Sequence, residues 1–181
     1  MKKLACLIVL IFSFALCLAT GFLFSAFTHP IKYKAEIEKY ASRYNLNSSL
    51  VASLINVESG FRNDVVSNKN AIGLMQIKLT TAEYMNELYK LNRTLTENDL
   101  YLPETNLEFG CLYLSYVIKK FENVNTALCA YNAGETIVRS WLKNENFSDN
   151  GISLKNIPYN ETKNYVIKIN KNIKFYNRVF N

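Results

Sequence analysis

The chain has 181 residues, of which 49% are hydrophobic and 20% are charged, and it contains six glycines and three prolines. This composition excludes collagen-like and intrinsically disordered proteins, and the length suits one compact domain. The 21 Lys and Arg exceed the 15 Asp and Glu, giving a net charge of +6, but the basic residues are spread along the chain and do not predict nucleic-acid binding.

An apolar segment lies close to the N-terminus. Lys2 and Lys3 precede 24 uncharged residues at 4–27. As a helix this segment would measure ~36 Å, enough to cross a hydrocarbon core of ~30 Å. The flanking lysines favour a cytoplasmic N-terminus with the rest of the chain outside the membrane. We therefore expect a membrane anchor at residues 1–28 and a separate domain at 29–181, the alternatives for the segment being a long signal peptide and a buried core helix.

Helical periodicity dominates the remainder of the chain. Apolar side chains recur at steps of three and four, which is typical of helices that face a core. The predicted helices cover residues 31–44, 48–59, 80–91, 104–121, 124–134, 135–143 and 160–181, with loops at 61–73 and 144–158. No segment alternates with the period of a strand, so the sequence predicts an all-α domain.

Histidine and cysteine restrict the available chemistry. His29 is the single histidine and lies beside the apolar segment, so the sequence predicts neither a His and Cys zinc site nor a Ser-His-Asp or Cys-His mechanism. Cys111 and Cys129 have apolar neighbours and form either two buried thiols or a disulfide. We expect no metal and no organic cofactor.

Glu58 is an unusual residue in the predicted helix at 48–59, whose other residues are mostly apolar. A carboxyl group at the end of a core helix is desolvated and lies near the negative end of the helix dipole, and both effects raise its pKa. A neutral carboxyl can donate a proton to a leaving oxygen, as glycoside cleavage requires. The alternative from spacing alone is that Glu58 extends into solvent beyond the helix.

Five segments in order resemble one enzyme family. They are Glu58-Ser59-Gly60-Phe61, Ser67, Gly73-Leu74-Met75-Gln76, Ala130-Tyr131-Asn132-Ala133-Gly134, and Ile157-Pro158-Tyr159-Asn160-Glu161-Thr162-Lys163-Asn164-Tyr165-Val166. Together they resemble the soluble-type (SLT) lytic transglycosylases, relatives of goose-type lysozyme. The resemblance implies a lysozyme-like helical domain that cuts the β-1,4 bond between N-acetylmuramic acid and N-acetylglucosamine in peptidoglycan without using water.

The resemblance also implies roles for individual residues. Glu58 would be the single catalytic acid and base, with no second carboxylate required, and Asp64 would be solvated. The expected substrate-binding residues are Ser67, Gln76, Tyr131, Asn132, Glu161 and Tyr165. The chain departs from the family at positions 63, 78–79 and 135, where proline is frequent in relatives and this chain has Asn63, Lys78, Leu79 and Glu135. These departures put subsite preference in question, because Lys78 could alter contacts to the glycan.

Two other functions remain open at this point. One is a muramidase of related fold in which water attacks the sugar. The other is a non-catalytic helical module that binds peptidoglycan or serves as a scaffold in an envelope complex. The apolar segment predicts the same location for all three candidate functions. The protein is expected in the cell membrane with its domain outside, or secreted to the cell wall.

Overall fold

The computed structural model describes residues 12–17, 20 and 28–180. The chain divides into two units, Met1–Lys32 and Tyr33–Asn181. Most of the predicted anchor at 4–27 lies outside the described residues, and residues 12–17 and 20 within it are helical. None of the helices formed by the described residues has the length and apolar character needed to span a bilayer. The anchor therefore stays a prediction.

The second unit is built from helices. They are α1 (Lys34–Arg43), α2 (Ser48–Glu58), α3 (Leu79–Leu88), α4 (Pro103–Phe121), α5 (Val124–Ala133), α6 (Glu135–Leu142) and α7 (Asn160–Phe180), with a 3₁₀ helix at Glu97–Tyr101. Among residues 33–180 the β-type pairings are two isolated bridges, Val66 with Ile72 and Ile72 with Ile77. The prediction of an all-α domain is confirmed, and the α-helix ends fall within three residues of those expected.

Helix α2 is the centre of the fold. The side chain of Asn47 accepts a hydrogen bond from the Leu50 N–H and caps the start of the helix. Every residue from Ser49 to Ile55 is buried, so this part of α2 is enclosed on all sides. The helix ends before Gly60, which has a φ of +60° that a residue without a Cβ adopts at low cost.

Helix α2 packs against α1 on one side and α7 on the other, and α4 packs against α1, α3 and α5. This arrangement brings the C-terminal end of α2, the C-terminal end of α5 and the N-terminal end of α7 to one region of the surface. The loop between α2 and α3 completes that region.

Cys111 on α4 and Cys129 on α5 are free thiols with no solvent exposure. The sequence left open whether these cysteines form a disulfide or two buried thiols, and the structure has two buried thiols. Burial raises the pKa of Cys129 to about 12 and that of Cys111 further, which keeps both sulfurs protonated and unreactive.

Candidate active site

A cleft of about 420 Å³ opens at the end of α2. It contains six of the seven residues singled out from the sequence: Glu58, Ser67, Gln76, Tyr131, Asn132 and Glu161. It is also lined by Lys78, which the sequence analysis named as able to alter contacts to the glycan, and by residues that the sequence argument did not select, namely Asn68, Lys69, Ala71, Ile77, Thr81, Tyr113, Ala133 and Gly134. Segments far apart in the sequence therefore meet around one carboxyl group.

Glu58 is partly buried at the last position of α2. Its Oε1 accepts a 2.6 Å hydrogen bond from the hydroxyl of Tyr165 on α7. Burial raises the pKa of Glu58 from its ordinary value of 4.5 to about 7, the Tyr165 hydrogen bond opposes the rise, and the negative charge of Glu161 adds to it. The carboxyl is thus poised between its two protonation states near neutral pH. The alternative that Glu58 extends into bulk solvent is wrong.

Tyr165, which the sequence assigns to saccharide binding, lies beside the Glu58 carboxyl. Its side chain is only 6% exposed and does not line the cleft. Burial, together with the nearby Glu58 charge, holds the pKa of Tyr165 well above its usual value, so the phenol stays a hydrogen-bond donor. The contact that the structure gives Tyr165 is with the Glu58 carboxyl, whose orientation it fixes.

Tyr131 and Asn132 occupy the last turn of α5. The Tyr131 hydroxyl donates to the backbone oxygen of Met75 at 2.9 Å, which ties α5 to the loop between α2 and α3. The Asn132 Oδ1 accepts a 2.7 Å hydrogen bond from the hydroxyl of Thr162, a residue buried near the start of α7. This bond leaves the amide nitrogen of Asn132 and one lone pair of its Oδ1 available to a ligand in the cleft.

Ser67 and Gln76 lie in the loop between α2 and α3. The Ser67 Oγ accepts hydrogen bonds from the backbone N–H groups of Lys69 and Ala71, which closes a turn. The Gln76 amide donates to the backbone oxygens of Gly73 at 3.0 Å and Val65 at 3.2 Å. Both side chains line the cleft while their polar atoms also organise the loop.

Asn106 on α4 anchors this loop to the core through hydrogen bonds. It is fully buried, its Oδ1 accepts from the Met75 N–H at 2.8 Å, and its amide donates to the backbone oxygens of Ile72 and Leu100. Gly73 has a φ of +74°, and a Cβ there would lie 2.5 Å from the Asn106 amide nitrogen. The loop can approach α4 this closely only because residue 73 is glycine.

Ser59 makes a further connection, since its hydroxyl donates to the backbone oxygen of Leu74 at 2.9 Å. Leu74 and Met75 are fully buried, so the apolar part of the Gly73-Leu74-Met75-Gln76 segment belongs to the core. Only Gln76 of that segment reaches the cleft. Its φ of +50° turns the chain out of the core at that position.

The rim of the cleft carries charge of both signs. Glu161 is exposed at the start of α7, and Lys69 and Lys78 are exposed on the loop. Asp64 is exposed and does not line the cleft. Across the described residues, no three His, Cys, Asp or Glu side chains are grouped so that they could hold a metal ion.

Proteins of known structure and known family are similar to this chain in fold and in sequence. The structure resembles the lytic transglycosylase Slt from Pseudomonas aeruginosa, solved as an inactive glutamate-to-glutamine variant, with a TM-score of 0.76 and 29% identity over 85% of this chain and 25% of that one. The described domain is therefore of the lysozyme-like, all-helical class. Residues 35–153 match the family described as "Transglycosylase SLT domain", and the chain belongs to that family.

Two curated relatives show the range of the family. The soluble lytic murein transglycosylase of Escherichia coli strain K12 is 31% identical over 153 residues, covering 83% of this chain and 23% of the relative. The membrane-bound lytic murein transglycosylase C of Histophilus somni is 28% identical over 175 residues, covering 83% of this chain and 47% of that protein. The chain spans about a quarter of the length of the soluble relative.

Proposed function

We propose that this protein is a peptidoglycan lytic transglycosylase that cleaves the β-1,4 bond after N-acetylmuramic acid and leaves a 1,6-anhydro end. The observation that carries the proposal is the Glu58 carboxyl, which faces a cleft, is held by Tyr165 and has its pKa raised to about 7. The names of its relatives, and the inactivity of the glutamate-to-glutamine variant of the Pseudomonas neighbour, support the same reaction.

The first step uses Glu58 as an acid. At neutral pH a large fraction of the carboxyl is protonated, because its pKa is about 7. The proton passes to the glycosidic oxygen while the bond from that oxygen to C1 of the muramic sugar breaks. The electron pair of the broken bond stays on the leaving oxygen, which becomes the hydroxyl of the released N-acetylglucosamine.

The second step uses the same residue as a base. The Glu58 carboxylate takes the proton of the C6 hydroxyl, and the C6 oxygen forms a bond to C1 of the same sugar. The nucleophile is already attached to the reacting ring, so its effective concentration is high and no water is consumed. Glu58 ends protonated, as it began, which is why one carboxyl group suffices.

The remaining cleft residues bind the glycan in this proposal. Asn132 offers its amide nitrogen, while its oxygen accepts the Thr162 hydrogen bond. Gln76 and Ser67 border the cleft from the loop, and Tyr131 contributes an aromatic face for a sugar ring. Glu161 at the rim raises the Glu58 pKa and so keeps the acid form populated. Tyr165 acts as a positioning residue through its hydrogen bond to Glu58.

The location of the protein is a separate part of the proposal. Residues 4–27 would anchor the chain in the cell membrane with the catalytic domain outside, next to the glycan strands of the wall. The existence of a membrane-bound relative is compatible with this placement. Fractionation of cells that carry a tagged full-length chain tests it: the protein should be extracted from the membrane by detergent and not by high salt.

Product analysis tests the reaction itself. The full-length protein in detergent is incubated with purified peptidoglycan sacculi, and the released fragments are analysed by mass spectrometry. Anhydro ends are expected, and reducing ends in their place would identify a hydrolytic muramidase. The Glu58→Gln variant should release fragments with neither kind of end, because an amide can neither donate the proton to the glycosidic oxygen nor take one from the attacking hydroxyl. Wild-type protein that binds sacculi without releasing fragments would establish the non-catalytic alternative.

A further inference from the structure

A row of four tyrosines begins inside the cleft and continues beyond it. Tyr131 and Tyr113 line the cleft beside Glu58. The ring centroids of Tyr131 and Tyr113 are 5.1 Å apart, those of Tyr113 and Tyr116 are 6.3 Å apart, and those of Tyr116 and Tyr84 are 6.0 Å apart. Tyr116 and Tyr84 do not line the cleft, so the row extends past its edge.

Three helices supply this row. Tyr113 and Tyr116 are three residues apart on α4 and therefore lie on the same side of that helix. Tyr131 comes from α5 and Tyr84 from α3, and both of these helices pack against α4. The rings of Tyr113 and Tyr116 are stacked, with 23° between their planes, whereas the rings of Tyr84 and Tyr116 meet edge to face, with 80° between their planes.

Polar contacts hold the outer pair in place. The hydroxyls of Tyr84 and Tyr116 are 3.2 Å apart. Lys120 donates to the Tyr116 hydroxyl, lies 4.7 Å from the centre of the Tyr116 ring, and forms a 2.5 Å ion pair with Glu135 at the start of α6. A ligand that stacks on rings already fixed in this way loses less conformational freedom on binding.

Exposure separates Tyr84 from ordinary core packing, whereas Tyr116 is partly buried against the core. Tyr84 is 46% exposed, so its ring is not covered by the protein that surrounds it. A single exposed aromatic side chain is common on protein surfaces and needs no explanation. Here the exposed ring is the last of a continuous series that starts at the catalytic carboxyl, and the cleft is expected to hold a linear glycan.

We propose that Tyr84 and Tyr116 form an outer sugar-binding platform for a glycan strand whose bond to be cleaved lies at Glu58. The apolar face of a pyranose ring would stack on the exposed ring of Tyr84, and its hydroxyls would bond to the phenolic oxygens of Tyr84 and Tyr116. This inference rests on the proposed function, because it takes a glycan as the ligand of the cleft. The platform would strengthen binding only of strands that are long enough to reach from Glu58 to Tyr84.

Binding to an inactive protein tests the platform without cleavage. Isothermal titration calorimetry measures the Kd of the full-length Glu58→Gln protein for a tetrasaccharide and an octasaccharide of alternating N-acetylglucosamine and N-acetylmuramic acid. Adding Tyr84→Ala should weaken octasaccharide binding by roughly three- to tenfold, the size of one aromatic contact, and leave tetrasaccharide binding unchanged. Tyr84→Phe keeps the ring and should change the octasaccharide Kd by less than the alanine variant does.

Tyr89→Ala is the matched control, because Tyr89 is 41% exposed, follows α3 directly and is outside the row. It should leave both Kd values unchanged. Equal losses for the two lengths with Tyr84→Ala, or no loss for either, would overturn the platform and leave the proposed function intact. If the Glu58→Gln protein binds neither oligosaccharide, both the platform and the proposed function are wrong.

Discussion

The hydroxyl of Tyr165 donates a 2.6 Å hydrogen bond to Oε1 of Glu58, which joins the first turns of α7 to the end of α2 across 107 positions of sequence. Two opposing influences act on the carboxyl as a result. Burial favours its neutral form, and the phenol favours its charged form. In the proposed reaction Glu58 donates a proton and then recovers it, which needs both forms within reach, and these two opposing influences keep both accessible.

The variant Tyr165→Phe tests this balance. Removal of the hydroxyl removes the contact that lowers the Glu58 pKa, so the pKa rises and the acid form persists to higher pH. The alkaline limb of the pH profile should therefore move to higher pH. The rate at its maximum should fall about ten- to hundredfold, because the carboxyl loses its fixed orientation. The measurement is the rate of anhydro-end formation against pH.

Tyr159→Phe serves as the control for that variant, since Tyr159 lies just before α7, is 51% exposed and does not contact Glu58. Its profile should match that of the wild type. A Tyr165→Phe profile with an unchanged alkaline limb would show that the phenol does not influence the carboxyl.

The pH dependence of stability gives an independent test of the buried carboxyl. In the unfolded chain Glu58 loses its proton near pH 4.5, whereas in the folded protein it does so near pH 7. Between these values the folded state binds more protons, so the contribution of Glu58 to stability is lost as the pH rises. Glu58→Gln, which has no charge to bury, should be more stable than the wild type by roughly 1–3 kcal/mol above pH 7.

Thermal unfolding of both proteins from pH 4 to pH 8 measures this difference. The two melting temperatures should be similar at the acid end and should diverge as the pH approaches 7. A constant difference across the range would mean that Glu58 titrates with an ordinary pKa in the folded protein. The same Gln variant should lose catalysis by roughly 10²-fold or more, because it removes the proposed general acid and base.

Substitution of Glu161 should shift the pKa of Glu58 in the direction opposite to Tyr165→Phe. Its negative charge raises the pKa of Glu58, so Glu161→Gln lowers that pKa and depletes the acid form at neutral pH. The alkaline limb of the rate profile should move to lower pH, and this shift should be smaller in high salt than in low salt because Glu161 is exposed. Glu145→Gln, an exposed change in the loop between α6 and α7, is the control and should leave the limb in place.

The helices could be predicted because their causes are local. The apolar periodicity of α4, the glycine after α2 and the asparagine before it are all visible in the sequence. The 3₁₀ helix at Glu97–Tyr101 was not predicted, since its Thr96 and Asp99 capping box lies in a stretch without periodicity. The loop at 61–73 was predicted, but its bridges through Ile72 depend on contacts with distant residues.

Six of the residues that line the cleft could be predicted from the sequence, but their contacts could be predicted only in part. The position of Glu58 at the end of an apolar helix indicated a raised pKa. Tyr165 was assigned to the substrate, whereas its hydroxyl contacts Glu58, and nothing in the spacing distinguishes these two roles. Thr162 and Asn106 were missed, because a polar side chain that serves a partner dozens of residues away has no local pattern. Tyr113 and Tyr116 did have a local pattern, because their three-residue spacing places them on the same side of α4.

The buried Asn106 is the last element with a measurable consequence. In Asn106→Ala the N–H of Met75 and the oxygens of Ile72 and Leu100 lose their partners in a dry interior, which should cost about 2–4 kcal/mol of stability. The comparison variant is Asn47→Ala, which removes one helix cap and should cost about 1 kcal/mol. Chemical denaturation measures both. Well below the melting temperature, Asn106→Ala should also lower the rate of glycan cleavage, because the loop that carries Ser67 and Gln76 loses its anchor, whereas Asn47→Ala should not. Equal effects of the two variants on stability and rate would show that Asn106 is only one more core side chain.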